Sequence, residues 1–228
     1  GNITFGSTLD GDGDADTLTI TSGTGTVTAS GAIGGTNGLG GLQVTSTSGT
    51  ITFSSTIDDT NDVGSTINVN AGSGNVAFSG NVGATNAVDT FTVEAAADVS
   101  LQNIGGGAAG VDNASSITNT GTTTFNGTTY KANAQTYTAS TGHTLAAGST
   151  TSFSSSADQI LFQTGAITLD SGSNLSVDSA GAASTLVAIS GTGSETVSIT
   201  SGSSSAGAVN VGAISSVGSV TLESGTDS

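Results

Sequence analysis

The strongest constraint on this chain is a short apolar pattern that returns about every two dozen residues. "GNITFGSTL" at residues 1–9 comes back as "GTVTASGAI" at 25–33, "GTITFSSTI" at 49–57 and "GNVAFSGNV" at 74–82. Aligned, the copies give columns of like residues. One runs Ile3, Val27, Ile51, Val76 and Val99; another runs Phe5, Ala29, Phe53, Phe78 and Leu101; a third runs Leu9, Ile33, Ile57 and Val82. A second stretch of each repeat adds Leu18, Leu42, Ile67 and Phe91, then Ile20, Val44, Val69 and Val93. Within each stretch the apolar residues alternate with Thr, Ser or Asn, the period of two that marks a half-buried strand. β-Branched residues dominate and fit a pleated surface, and no helical periodicity lasts for more than a turn.

Two short strands per repeat cannot bury their apolar faces alone. Stacked coils can, because each column becomes a ladder of like residues about 4.8 Å apart. The pairs Ser22-Gly23, Ser48-Gly49 and Ser73-Gly74 mark corners, where positive φ is often needed. The sequence therefore predicts an all-β fold, a right-handed parallel β-helix (β-solenoid) of roughly nine coils of about 24 residues each. Such a rod is on the order of 45 Å long.

The pattern is regular over residues 1–101 and irregular over 102–228. Gln102–Ile117, "QNIGGGAAGVDNASSI", reads as longer than its counterparts and predicts a protruding loop. Thr123 and Phe125 resume the columns. "ITLDSG" at 167–172, "VSITSG" at 197–202 and "VTLESG" at 220–225 then mirror "LTITSG" at 18–23. No Pro-rich or charge-rich linker intervenes, so the chain reads as one domain, 1–228. Repeat-like sequence runs to both ends, which reads as a segment of a longer protein.

Charge is sparse and one-sided. Seventeen acidic residues face a single lysine, Lys131, and the net charge is −16. Nucleic acid is excluded as a partner, because phosphate neutralisation needs a Lys/Arg surface. Anionic membrane surfaces are excluded for the same reason, and no apolar run is long enough to insert in a bilayer. With no Cys, disulfides and thiolate metal sites are excluded too.

The sharpest local feature is "DGDGDAD", which sets Asp10, Asp12, Asp14 and Asp16 at alternate positions. Carboxylates so spaced, with glycines between them, can wrap a hard cation such as Ca²⁺. The EF-hand pattern begins at Asp10, Asp12 and Asp14 but fails at Ala15 and Thr21, where Gly and Glu are wanted. Asp58, Asp59, Asn61 and Asp62 occupy the equivalent loop two coils later. An acidic, solvated corner is the competing reading of both loops. No other cofactor is indicated.

Parallel β-helices also host carbohydrate-active enzymes. Hydrolysis needs two or three carboxylates converging on one site, and outside these two loops the acids are scattered singly. Asp170 and Asp178 could share a face, but nothing adds a partner. His143 follows Gly142 and reads as an exposed turn residue. Lys131 lies near Tyr130 and Tyr137, with its stem expected over a ring.

The repeats "GNITFGSTL", "VTSTSGTITFSSTID", "NVNAGSGNVAFSGNVGATNAV" and "AQTYTASTGHTLAAGSTTSF" resemble those of the large bacterial surface exoproteins of the filamentous-haemagglutinin type, best over residues 1–153. The resemblance implies a secreted β-helix at a bacterial cell surface, serving as a stalk, adhesin shaft or matrix fibre. It implies no catalytic residues. The expected function is therefore a non-enzymatic extracellular structural protein. One alternative is a filament subunit that stacks head-to-tail on other copies of itself. Another is a calcium-dependent binding module. Outward Ser, Thr and Asn ladders could also hydrogen-bond a host or matrix glycan.

Overall fold

The computed structural model describes residues 1–106, 110–202 and 207–224. The fold is an all-β parallel β-solenoid of about nine turns. Its first face stacks ten strands in chain order: Ile3–Phe5, Val27–Ala29, Ile51–Phe53, Val76–Phe78, Val99–Leu101, Thr122–Phe125, Gly142–Leu145, Ile167–Leu169, Ile189–Ser190 and Ile214–Ser215. Each pairs in parallel with the next at a step of 20 to 25 residues. We number coils by these strands, so that coil 6 opens at Thr122–Phe125 and coil 7 at Gly142–Leu145.

The second face runs through Thr17–Thr21, Gly41–Thr45, Thr66–Asn70, Thr90–Ala95, Val111–Asn119, Thr129–Ala139, Ile160–Thr164, Ser184–Leu186 and Val209–Val211. The third face changes character along the rod. In coils 1 to 5 it is only a ladder of single bridges, Leu9–Ile33–Ile57–Val82–Ile104–Tyr130. From coil 6 it is a sheet of Thr129–Lys131, Thr150–Ser154, Asn174–Asp178, Thr196–Thr200 and Ser219–Glu223. The long strand Thr129–Ala139 makes this change, pairing with Ser152–Ser154 near its start and with Ile160–Thr164 near its end.

The inward columns expected over the first four coils are the observed register. Ile51, Val76, Ile67, Val69, Phe53 and Phe78 are all buried in one continuous core. The alternation creates this geometry directly, since every second side chain of a strand points to the same face. Face-to-face partners of like shape then stack; the Phe53 and Phe78 rings lie 4.8 Å apart and nearly parallel. Burial of such ladders, at about 25 cal/mol per Å² of apolar surface, is the main stabilising term.

Two expectations fail. Gln102–Ile117 is not an inserted excursion. Val99 pairs with Thr123 at an ordinary step of 24, Ile104 is a buried member of the third face, and Ser115–Ile117 pair with Phe91–Val93. Polar residues hid the register: Ser115 and Thr123 stand in column positions that are apolar in earlier coils. Residues 107–109 of that stretch lie outside the described residues, as does the Gly225 that ends "VTLESG". His143 is not an exposed turn residue. Gly142 is already in a strand, paired with Thr122, so His143 takes the inward position of Thr123 and Ile167 and is fully buried.

At the last described coil the columns open to solvent. Val220 is 44% and Leu222 is 47% exposed, although each continues an inward ladder from Val197 and Ile199.

Candidate functional site

The four aspartates of residues 10–16 do not converge. Asp10 Oδ1 accepts a hydrogen bond from the Thr36 amide of the next coil at 2.8 Å. Asp12 Oδ1 accepts one from the Asp14 amide at 3.1 Å. Asp16 donates its amide to the Asp14 carbonyl. Among the described residues no three His, Cys, Asp or Glu side chains stand close enough to hold a metal ion.

The second acidic loop works in the same way. Asp58 is the counterpart of Asp10, since both follow a third-face column residue, Ile57 and Leu9. Its Oδ1 accepts from the Thr85 amide at 2.8 Å, again one coil on. Asp59 turns inward and accepts from the amides of Val63, Gly64 and Ser65 at 2.9–3.2 Å, closing its own loop. Coil 2, between them, carries Gly34 at the same position and coil 4 carries Gly83, both with positive φ. A Cβ at Gly34 would collide with the Asp58 carbonyl oxygen, so coil 2 has no room for a side chain at that position.

Sequence reasoning missed the ladder on which these aspartates act. Thr36-Asn37, Thr60-Asn61 and Thr85-Asn86 recur one coil apart. Asn61 Nδ2 donates to Asn37 Oδ1 at 2.6 Å, and Gly38 donates its amide to the Thr60 carbonyl at 2.6 Å. The repeated Thr-Asn dipeptide was the available signal. Elsewhere corner amides and carboxylates do the same work. Asn2, Asn75 and Asp98 accept from the amides of Thr26, Asp98 and Thr122 respectively, each one coil further on.

Two glutamates have perturbed acidity. Glu195 is enclosed by its own turn. Its carboxylate accepts from the amides of Thr192, Gly193 and Ser194 and from the hydroxyls of Thr192 and Ser194, at 2.6–3.3 Å. The Thr192 side-chain hydrogen bond leads in holding it well below the usual carboxylate range. Glu94, on the outer surface, is lowered by hydrogen bonds from Asn68 first and Asn70 second.

The remaining polar cluster faces inward, in coils 6 and 7. Tyr137 donates its hydroxyl to Gln135 Oε1 at 2.9 Å. Gln135 Nε2 donates to the carbonyls of Ser154, at 2.6 Å, and Tyr130, at 3.3 Å. The Tyr130 hydroxyl accepts from the Gly127 amide and donates to the Leu101 carbonyl. Gln135 thus serves carbonyls near the branch in strand Thr129–Ala139, where one strand must satisfy two diverging neighbours. Burial pushes both tyrosine hydroxyls well above their ordinary value and pushes His143 down to about 4. His143 Nε2 donates to the Gln163 carbonyl at 3.2 Å, while Nδ1 has no partner.

Both tyrosine rings point into the core, so Lys131, adjacent to Tyr130, does not lie over them. It lines a shallow recess of ≈ 250 Å³ with Asp112, Asn133 and Ser156. Asp170 follows a first-face strand and Asp178 ends a third-face strand, so they do not share a face. No family model, curated protein or solved structure matches this chain.

Proposed function

We propose that this chain is a length of structural shaft in an extracellular protein at a bacterial cell surface, working as a rigid spacer and not as a catalyst. One observation carries the reading: corner side chains of the type that elsewhere build sites are engaged with backbone amides of the next coil. Asp10, Asp58, Asn2, Asn75, Asp98 and Asn103 all do this. Their chemistry stitches coil to coil along the rod. The likeness of the repeats to surface exoproteins supports the location.

The test is a binding screen joined to a length measurement. A shaft binds no glycan saturably, and removing residues 27–50, one complete coil, shortens the rod by about 4.8 Å without unfolding it. Saturable glycan binding that is lost on substituting outward Thr or Asn residues would replace this reading with a binding module.

A second reading has its own observation. The exposure of Val220 and Leu222 at the last described coil suits a filament subunit, because the first coil presents a partly buried Leu9 in the same third-face column as Leu222. Sedimentation of the wild type against Leu222→Asp decides it. Concentration-dependent growth that the substitution stops supports stacking, and a monomer at all concentrations removes it.

A further inference from the structure

We propose that His143 is an acid trigger built into the core: in acidic solution its ring takes a proton, and coils 6 to 8 loosen while coils 1 to 4 stay closed. Three observations support this. The ring is fully buried in a column that carries Val or Ile in coils 2 to 4 and again in coil 8. It lies against Phe162 at 5.2 Å and Phe125 at 6.4 Å, rings that cannot solvate a cation fully. Its Nδ1, the atom that must accept the proton, has no hydrogen-bond partner.

The surroundings offer no countercharge. The ladder neighbours are Thr123 and Ile167, and Nε2 is already donating to the Gln163 carbonyl. The other titratable groups of the cluster are Tyr130 and Tyr137, which burial keeps neutral throughout the acid range. A proton on Nδ1 therefore creates a buried, unpaired charge, and the accessible relief is to admit water by opening the coils. Coils 1 to 4 contain no histidine, so this buried charge cannot arise in them.

The sign follows from linkage. The folded value, about 4, lies below the ordinary value of 6.5, so the unfolded chain binds the proton first. Stability is full above pH 6.5, declines as pH falls towards 4, and loses nothing more from this group below that.

The test uses the fact that this is the sole histidine in the sequence, so its imidazole gives one unambiguous NMR resonance. We expect no titration of the folded chain between pH 8 and 5. Near pH 4 we expect hydrogen exchange to accelerate in residues 122–169 before residues 27–101. His143→Val, the residue of Val27 and Val76 in the same column, should flatten the response. Between pH 7 and 4 the wild-type folding equilibrium should fall about hundredfold further than that of the variant. A titration midpoint near 6.5 with exchange unchanged overturns the proposal on the wild type alone, whether or not the variant folds. So do parallel pH profiles of the two proteins.

Discussion

Coils 1 to 5 and coils 6 to 10 solve the same packing problem in different ways. In the early coils the turn from the first to the third face is short, four positions from Phe53 to Ile57 and from Phe78 to Val82. The turn from the third face to the second is long, ten positions from Ile57 to Ile67 and nine from Val82 to Phe91. In the later coils the slack has moved. Leu145 to Phe153 and Leu169 to Val177 are eight positions each, while Tyr130 to Gln135 is five and Phe153 to Ile160 is seven. The early coils hold their long turns with a polar ladder outside the core, the Thr-Asn repeats and the aspartates. The later coils gain a true third sheet and place their polar network inside, on Gln135, Tyr130, Tyr137 and His143. A constant coil length does not fix a constant cross-section, because residues can be traded between corners.

The largest expected difference lies in the aromatic core. Phe125 touches Tyr130, Tyr137, His143, Phe153 and Phe162, whereas Phe53 stacks on Phe78 alone. Phe125→Ala should cost about 5 kcal/mol and Phe53→Ala about 3 kcal/mol, measured by denaturant unfolding. Equal losses would erase the distinction. Next comes Gln135→Leu, which suits the column but leaves the Ser154 and Tyr130 carbonyls and the Tyr137 hydroxyl without Gln135. We expect a loss of about 2 kcal/mol and faster amide exchange confined to residues 129–164. A stability gain would show that the buried network is not needed for the branch.

On the outer ladder the effects should be smaller. Asp58→Ala frees the Thr85 amide and should cost about 1 kcal/mol, with exchange rising at residues 85–86 alone. If exchange also rises in residues 135–163, the two regions are coupled. Glu195→Gln should act only at low proton concentration. The folded value is depressed, so its contribution is present above the ordinary carboxylate range near 4.5 and disappears as pH falls through the folded value. Wild type and variant should therefore converge in unfolding temperature towards strong acid. The smallest effect of all is expected from chelator: adding it should leave the melting temperature within error, and a drop of several degrees would revive a cation at Asp10–Asp16.

This difference between regions also explains what could be read from the sequence. The early columns were legible because every position is apolar and the steps barely vary. Register was lost where Ser115 and Thr123 entered the columns and the step fell to 20, between Thr123 and His143. His143 was misplaced because Gly142 looks like a corner but is extended in a strand. The aspartates were legible as a cluster but not as staples, because a one-residue alternation of Asp and Gly acquires meaning only when coils are superposed.

The branch in strand Thr129–Ala139 has a last consequence, for digestion. Trypsin-like proteases cut after Lys or Arg, and the whole sequence offers them one bond, Lys131–Ala132. That bond lies in a strand held on both sides, with Lys131 paired to Ser154 and Ala132 to Val111. The junction between the two kinds of coil is thus the one tryptic site of the molecule, and a single cut there would return them as fragments of 131 and 97 residues.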